Sequence, residues 1–227
     1  LLYQPNSFDI LCWVFFYFFL LMYINSESNK WIWIAAIAFA IGFLNKYNIG
    51  FFILGLVPAL LASSHRKIFA QPSLYAAMLI AFILILPNLV WQYKHDFPVI
   101  WHLKELSTTQ LVNVNRADFL KEQILFFLSS LFVIIAAFIS FFIYPPFNKY
   151  RVFFVSFVII LFLFTYLKAK GYYAIGLYPI FIAFGAVYLE YILQNGWKRI
   201  LQPVAILIPL LLFIPILQIG FPLKSPG

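Results

Sequence analysis

Four groups of polar residues interrupt an otherwise apolar chain, and they carry whatever chemistry it performs. An ionisable residue at membrane depth is a functional candidate by default, because lipid makes it costly to keep. The first group is Pro5-Asn6-Ser7-Phe8-Asp9. Asn6 or Ser7 can cap a helix with Asp9 in its first turn, at the positive end of the helix dipole. Equally, Asp9 can be a carboxylate in an outward cavity. The second is Leu44-Asn45-Lys46-Tyr47-Asn48. Lys46 can snorkel from a turn, but a lysine between two helices, flanked by amides and a phenol, better fits holding an anion. The third is Pro87-Asn88-Leu89-Val90-Trp91-Gln92, continuing to His95-Asp96-Phe97-Pro98. Aromatic anchoring in the headgroup layer explains part of it. Asn88 and Gln92 share a helix face at i, i+4, which suits sugar hydroxyls or helix–helix hydrogen bonds equally. His95 and Asp96 are adjacent, without an evident third ligand, and do not make a metal site. The fourth is Lys168-Ala169-Lys170-Gly171-Tyr172-Tyr173, followed by Leu177-Tyr178-Pro179. Two lysines there are simply explained by an anionic ligand, which Gly171 would let the backbone approach closely.

The elements that must position these groups follow from composition. Of 227 residues, 65% are hydrophobic and 10% charged, against about 25% charged in a soluble domain. Such a chain cannot cover a water-facing surface, which excludes a soluble globular domain, a disordered segment and a nucleic-acid-binding module. The net charge of +8 is what basic loops give a polytopic membrane protein. A single cysteine, Cys12, excludes a disulfide framework and any multi-cysteine metal site. The chain opens at Leu1 with neither Met nor a signal-peptide pattern, and reads as a fragment lacking its true N-terminus.

Uncharged stretches run over 10–26, 31–45, 47–64, 68–93, 123–148, 152–167, 171–189 and 200–223. A membrane helix needs about 20 apolar residues, and continuous apolar runs without period-2 alternation choose helices over barrel strands. The expected fold is therefore all-α, a polytopic transmembrane bundle of about eight membrane helices forming a single domain over 1–227. One long outer loop, about 93–121, contains His95, His102 and apolar residues that suggest a short helix on the membrane surface or over the bundle. Segment 31–64 reads as a hairpin turning at Lys46 rather than one over-long helix. With Leu1 to Phe8 outside, the short inner loops gather Lys30, Arg66, Lys67, Lys149, Arg151, Lys198 and Arg199 against one acid, Glu27. The other eight basic residues spread over longer outer segments, so the raw count decides nothing and the density in short loops favours this orientation. All four polar groups then lie at the outer side.

At these four points the chain resembles the polytopic glycosyltransferases that use polyprenyl-phosphate sugars: the protein O-mannosyltransferase and lipid A aminoarabinose transferase superfamily, of GT-C architecture. The resemblance rests on the Asn-Ser-Phe-Asp start with Trp13 after it, Gly-Phe-Leu-Asn-Lys-Tyr at 42–47, Leu-Pro-Asn-Leu-Val-Trp-Gln with His-Asp-Phe-Pro, and Lys-Gly-Tyr-Tyr with Leu-Tyr-Pro at 170–179. It implies a C-terminal portion of a larger multi-pass enzyme of the plasma (inner) membrane. That enzyme would move a sugar from a polyprenyl-phosphate donor to a lipid, glycan or protein acceptor at the outer face. It implies Asp9 as a catalytic acidic position and Lys46, Lys168, Lys170 and Tyr173 as contacts to the donor phosphate. Asn88, Gln92, His95 and Asp96 are then expected to bind substrate. The Lys170–Tyr173 spacing is one residue shorter than in some relatives, and Gly176 stands where proline is common, which leaves Lys168 and Lys170 interchangeable. The family's base lies upstream of this sequence, so the chain alone is expected to be inactive. No cofactor is expected, and no divalent cation is evident. The alternative is a transporter or flippase for a lipid-linked or anionic substrate, which predicts midplane charge pairs and a pseudo-symmetric repeat; neither is found in the sequence.

Overall fold

A computed structural model describes residues 5–220; the expected outer start at 1–4 and the tail of the last apolar stretch, 221–223, lie outside the described residues. Among the described residues there is no strand. The α-helices are α1 (Asn6–Ser26), α2 (Lys30–Asn45), α3 (Gly50–Leu61), α4 (Pro72–Lys94), α5 (Pro98–Thr109), α6 (Arg116–Phe126), α7 (Leu131–Ile143), α8 (Arg151–Tyr166), α9 (Pro179–Leu193) and α10 (Leu201–Gly220). Short 3-10 turns join them except between α1 and α2 and between α4 and α5. The fold is the expected all-α bundle.

Four helical segments are long and apolar enough to cross a membrane: Asn6–Ser26, Pro72–Lys94, Pro145–Tyr166 and Gly196–Pro215. The number rises to seven if each of three bent pairs counts as one span: Tyr47–Leu61 with Ser64–Ala70 (110°), Arg116–Phe126 with Leu128–Ile143 (62°), and Gly171–Leu177 with Pro179–Leu193 (47°). The shorter apolar α2 stands beside them.

Segment 31–64 is two helices, divided at Lys46, whose backbone is extended (φ −158°, ψ 125°). Its two arms take different neighbours: α2 packs on α1 and α4, whereas α3 packs on α8. The expected unbroken stretch 123–148 is corrected by the bend after Phe126. Phe127 leaves the helix and its ring stacks on Tyr178, centroids 4.0 Å apart. The Phe127 carbonyl accepts from the Ser130 amide at 2.9 Å. The Ser130 hydroxyl donates to the same carbonyl at 3.4 Å, a local alternative to a continuing helix that serine side chains offer the backbone.

Close approach of backbones holds the bundle together, as expected where lipid removes the hydrophobic drive between helices. A Cβ at Gly185 of α9 would lie 1.9 Å from the Val133 carbonyl oxygen of α7, and one at Gly55 of α3 would meet Ile160 and the Ser156 carbonyl of α8. Aromatic rings fill what remains: Trp13, Phe16 and Tyr17 of α1 all meet Phe52 of α3. By contrast α4 exposes Met78, Leu79, Phe82 and Ile83, and α10 exposes Ile206, Leu210 and Leu211, as suits lipid-facing surfaces. Within the outer loop α5 forms the expected short helix, with no buried residue.

Candidate functional site

The start of α1, the α2–α3 link, the end of α4 and the Gly171–Leu177 turn converge at one end of the bundle. Pro5 precedes α1 and Asp9 sits in its first turn. One helical turn on, the fully buried Trp13 donates from Nε1 to Asp9 Oδ1 at 3.1 Å. At the end of α2, Asn45 donates to the Pro5 carbonyl at 3.1 Å, which fastens the link to the α1 start. The extended backbone at Lys46 breaks the helix there. The Lys46 ammonium donates to Asn6 Oδ1 at 2.9 Å and stands 3.8 Å from Asp9 Oδ2. It also lies over the rings of Tyr172 and Tyr173, 4.9 and 4.6 Å from their centroids, where ring quadrupoles attract a cation.

Asn48 completes this cluster. Its Nδ2 donates to Asp9 Oδ2 at 3.2 Å and to the Tyr173 carbonyl at 3.0 Å. Both partners are acceptors, so the amide nitrogen must face them. That leaves Oδ1 buried and, among the described residues, without a hydrogen-bond partner. Asp9 and Asn48 are 5% and 7% exposed, so a carboxylate is sunk here with a donor on each oxygen and a cation beside it. Burial pulls the Lys46 ammonium below the usual lysine value; Asp9 opposes that shift and the charge of Lys170 adds to it.

A second hub joins the end of α4 to the same link. Tyr47 donates its hydroxyl proton to Asn88 Oδ1 at 2.7 Å and accepts from Gln92 Nε2 at 2.9 Å. Gln92 Oε1 in turn accepts from the Val99 amide at 3.3 Å. Asn88 and Gln92 do share a face, with Tyr47 between them. Lys170 donates to Gln110 beyond α5. Gln123 of α6 supports the turn beneath, donating to the Gly171 carbonyl at 3.1 Å and accepting from the Tyr178 hydroxyl at 3.3 Å. The space that Gly171 was expected to leave for a ligand is taken by Glu122, whose Oε2 would lie 1.8 Å from a Cβ there.

His95, Asp96 and Lys168 serve helix ends. The His95 ring stacks on Trp91 at 4.5 Å and its Nδ1 lies 2.7 Å from the Trp91 carbonyl. Asp96 (φ 56°) and Phe97 (φ 52°) close α4: the Asp96 amide bonds the Tyr93 carbonyl at 3.4 Å and the Phe97 amide that of Gln92 at 2.7 Å. Lys168 (φ 53°) closes α8 in the same way, its amide bonding Thr165 at 3.3 Å and that of Ala169 bonding Phe164 at 2.9 Å. Glycine is the usual occupant of this left-handed position, and another residue costs about 1 kcal/mol. The Lys168 side chain lines a groove of about 320 Å³ together with Val112, Val114, Asn115 and Arg116, none of which belongs to the Asp9 cluster.

Sequence reading places Asn48 in the second polar group without giving it a role of its own, and does not single out Gln123. Their signal is faint: Asn48 stands two residues after Lys46 and Gln123 directly after Glu122, each followed by apolar sequence. Among the described residues no three His, Cys, Asp or Glu gather as a metal site.

Residues 1–91 match the family model described as dolichyl-phosphate-mannose-protein mannosyltransferase. The matched stretch is thus similar to a family of membrane glycosyltransferases, and the apolar helices point to a multi-pass membrane protein. It covers Asp9, Lys46, Asn48 and Asn88; Gln92, Lys168, Lys170 and Tyr173 fall beyond it. No curated protein and no solved structure matches the chain.

Proposed function

We propose that this chain carries the donor-phosphate half of a glycosyltransferase site that takes a sugar from a polyprenyl-phosphate at the outer face of the plasma membrane. An acceptor hydroxyl attacks the anomeric carbon, the bond from that carbon to the phosphate oxygen breaks, and the phosphate leaves with the electron pair. The acceptor's proton passes to a carboxylate, a role the family reading places upstream of Asp9. Lys46, Lys170 and the phenol of Tyr173 stabilise the charge growing on the phosphate, and fixed cations in a water-poor cavity do so far better than in water. Asp9 faces the positive character that builds on the sugar ring, and Asn88 and Gln92 offer amides to its hydroxyls. The acceptor is a lipid, a glycan or a protein.

The observation that carries this reading is the Lys46 ammonium, held between the Asp9 carboxylate and the rings of Tyr172 and Tyr173. Donor binding tests it without requiring turnover. The chain, reconstituted in nanodiscs, is titrated with undecaprenyl phosphate. A charge-assisted hydrogen bond contributes about 1.5–3 kcal/mol, so Lys46→Met and Lys170→Met are each expected to weaken binding about tenfold or more. Unchanged affinity in both variants would overturn the reading.

A further inference from the structure

We propose that the groove between the start of α6 and the end of α8 binds a phosphate group through Arg116 and Lys168, separately from the Asp9–Lys46 cluster. The groove is lined by Val112, Val114, Asn115, Arg116 and Lys168. Arginine presents five N–H donors and lysine three, with no acceptor on either. Asn115 turns its side-chain oxygen to the cap of α6, accepting from the Ala117 amide at 2.8 Å, and its side-chain NH2 remains a donor for a ligand. Among the described lining residues both charged side chains are cationic donors, which matches an anionic ligand rich in acceptors. Phosphate oxygens meet that description, and arginine suits them in particular.

The charges there are also uncompensated. Among the described residues the side-chain ion pairs are Lys46 with Asp9 and Lys121 with Asp118; neither Arg116 nor Lys168 belongs to one. Arg116 donates from Nη2 to the Tyr166 carbonyl at 3.4 Å, which ties its guanidinium to the end of α8 beside Lys168. Lys168 itself occupies a left-handed backbone position that glycine would fill without strain. A strained non-glycine residue whose side chain lines a groove asks for a use, and anion binding gives it one. The phosphate can come from a bilayer headgroup or from solution. The assignment stands whether or not the chain transfers sugar.

The test uses the full chain in maltoside micelles, which contain no phosphate. One arm titrates inorganic phosphate by calorimetry, and the other adds phosphatidylglycerol and counts retained lipid by native mass spectrometry. Lys168→Gly relieves the backbone and keeps the fold, so its melting temperature rises or holds. In the arm that reports the true source, Lys168→Gly and Arg116→Gln are each expected to weaken binding about three- to tenfold, and added salt to weaken it further. A loss confined to the lipid arm assigns a headgroup, and a loss in the phosphate arm assigns a free anion. No binding by the unaltered chain in either arm overturns the proposal. So does binding that persists in the double variant and falls instead with Lys170→Met, because it then belongs to the neighbouring cluster.

Discussion

One amide, Asn48, fastens the carboxylate of Asp9 to the backbone of Tyr173, 125 residues away. Asn48→Asp would set a carboxylate against two acceptors in a buried place, whereas Asn48→Leu would remove the bonds but add no charge. We expect Asn48→Asp to cost about 3–5 kcal/mol, as an uncompensated buried charge does, and Asn48→Leu about 1–3 kcal/mol. Thermal unfolding in detergent should rank them in that order, and equal stability would remove Asn48 from the site. At this scale the charged residues were legible in the sequence. Asp9, Lys46 and Lys170 stand out because lipid-exposed chain rarely keeps charge, and the structure brings Asp9 and Lys46 into contact. The amides were less so, since the worth of Asn48 or Gln123 depends on a partner far along the chain. Gly171 drew the right inference of close approach but the wrong guest: Glu122 fills the space.

Helix packing in this bundle depends on two close glycines: Gly55 meets the Ile160 side chain before the Ser156 carbonyl, whereas Gly185 meets the Val133 backbone. Gly185→Ala would place its Cβ 1.9 Å from the Val133 carbonyl oxygen, and backbone cannot move aside as a side-chain tip can. We expect a loss of about 1–3 kcal/mol, as for other overpacked positions, read as a lower melting temperature. Gly50→Ala is the control, since its Cβ would meet Phe43 at an ordinary 3.8 Å, and it should melt with the unaltered chain. Helix boundaries were readable where a charge marks them, as at Lys46 between α2 and α3. The bend between α6 and α7 was not. It arises from Phe127 stacking on Tyr178, a contact between segments that no local pattern announces.

Across the whole molecule the two ends differ in charge and in kind. Opposite the Asp9 cluster, at the far end of α1, Tyr150 donates to Asn25. His65 Nε2 lies 2.6 Å from the Lys149 carbonyl there, among the loops that carry Arg66, Lys67 and Arg151. By the positive-inside preference we expect this end to face the cytosol. Cys12 is buried, so introduced cysteines report orientation cleanly. With a membrane-impermeant maleimide on intact cells, Thr108→Cys in α5 should be labelled and Arg66→Cys should not. The reverse pattern would turn the chain over and place the cluster on the cytosolic side. The bundle and the gathering of all four polar groups at one end were legible, because hydropathy and the spacing of charge determine both.

Tyr47 has one proton, directed to Asn88, and its lone pair receives Gln92. The relay between the α2–α3 link and α4 therefore has a sense, like a one-way street. A guest hydroxyl that displaced the phenol from Asn88 would oblige Tyr47 to aim its proton elsewhere and Gln92 to follow. Occupancy at one amide would then be signalled to the other through a lone hydroxyl.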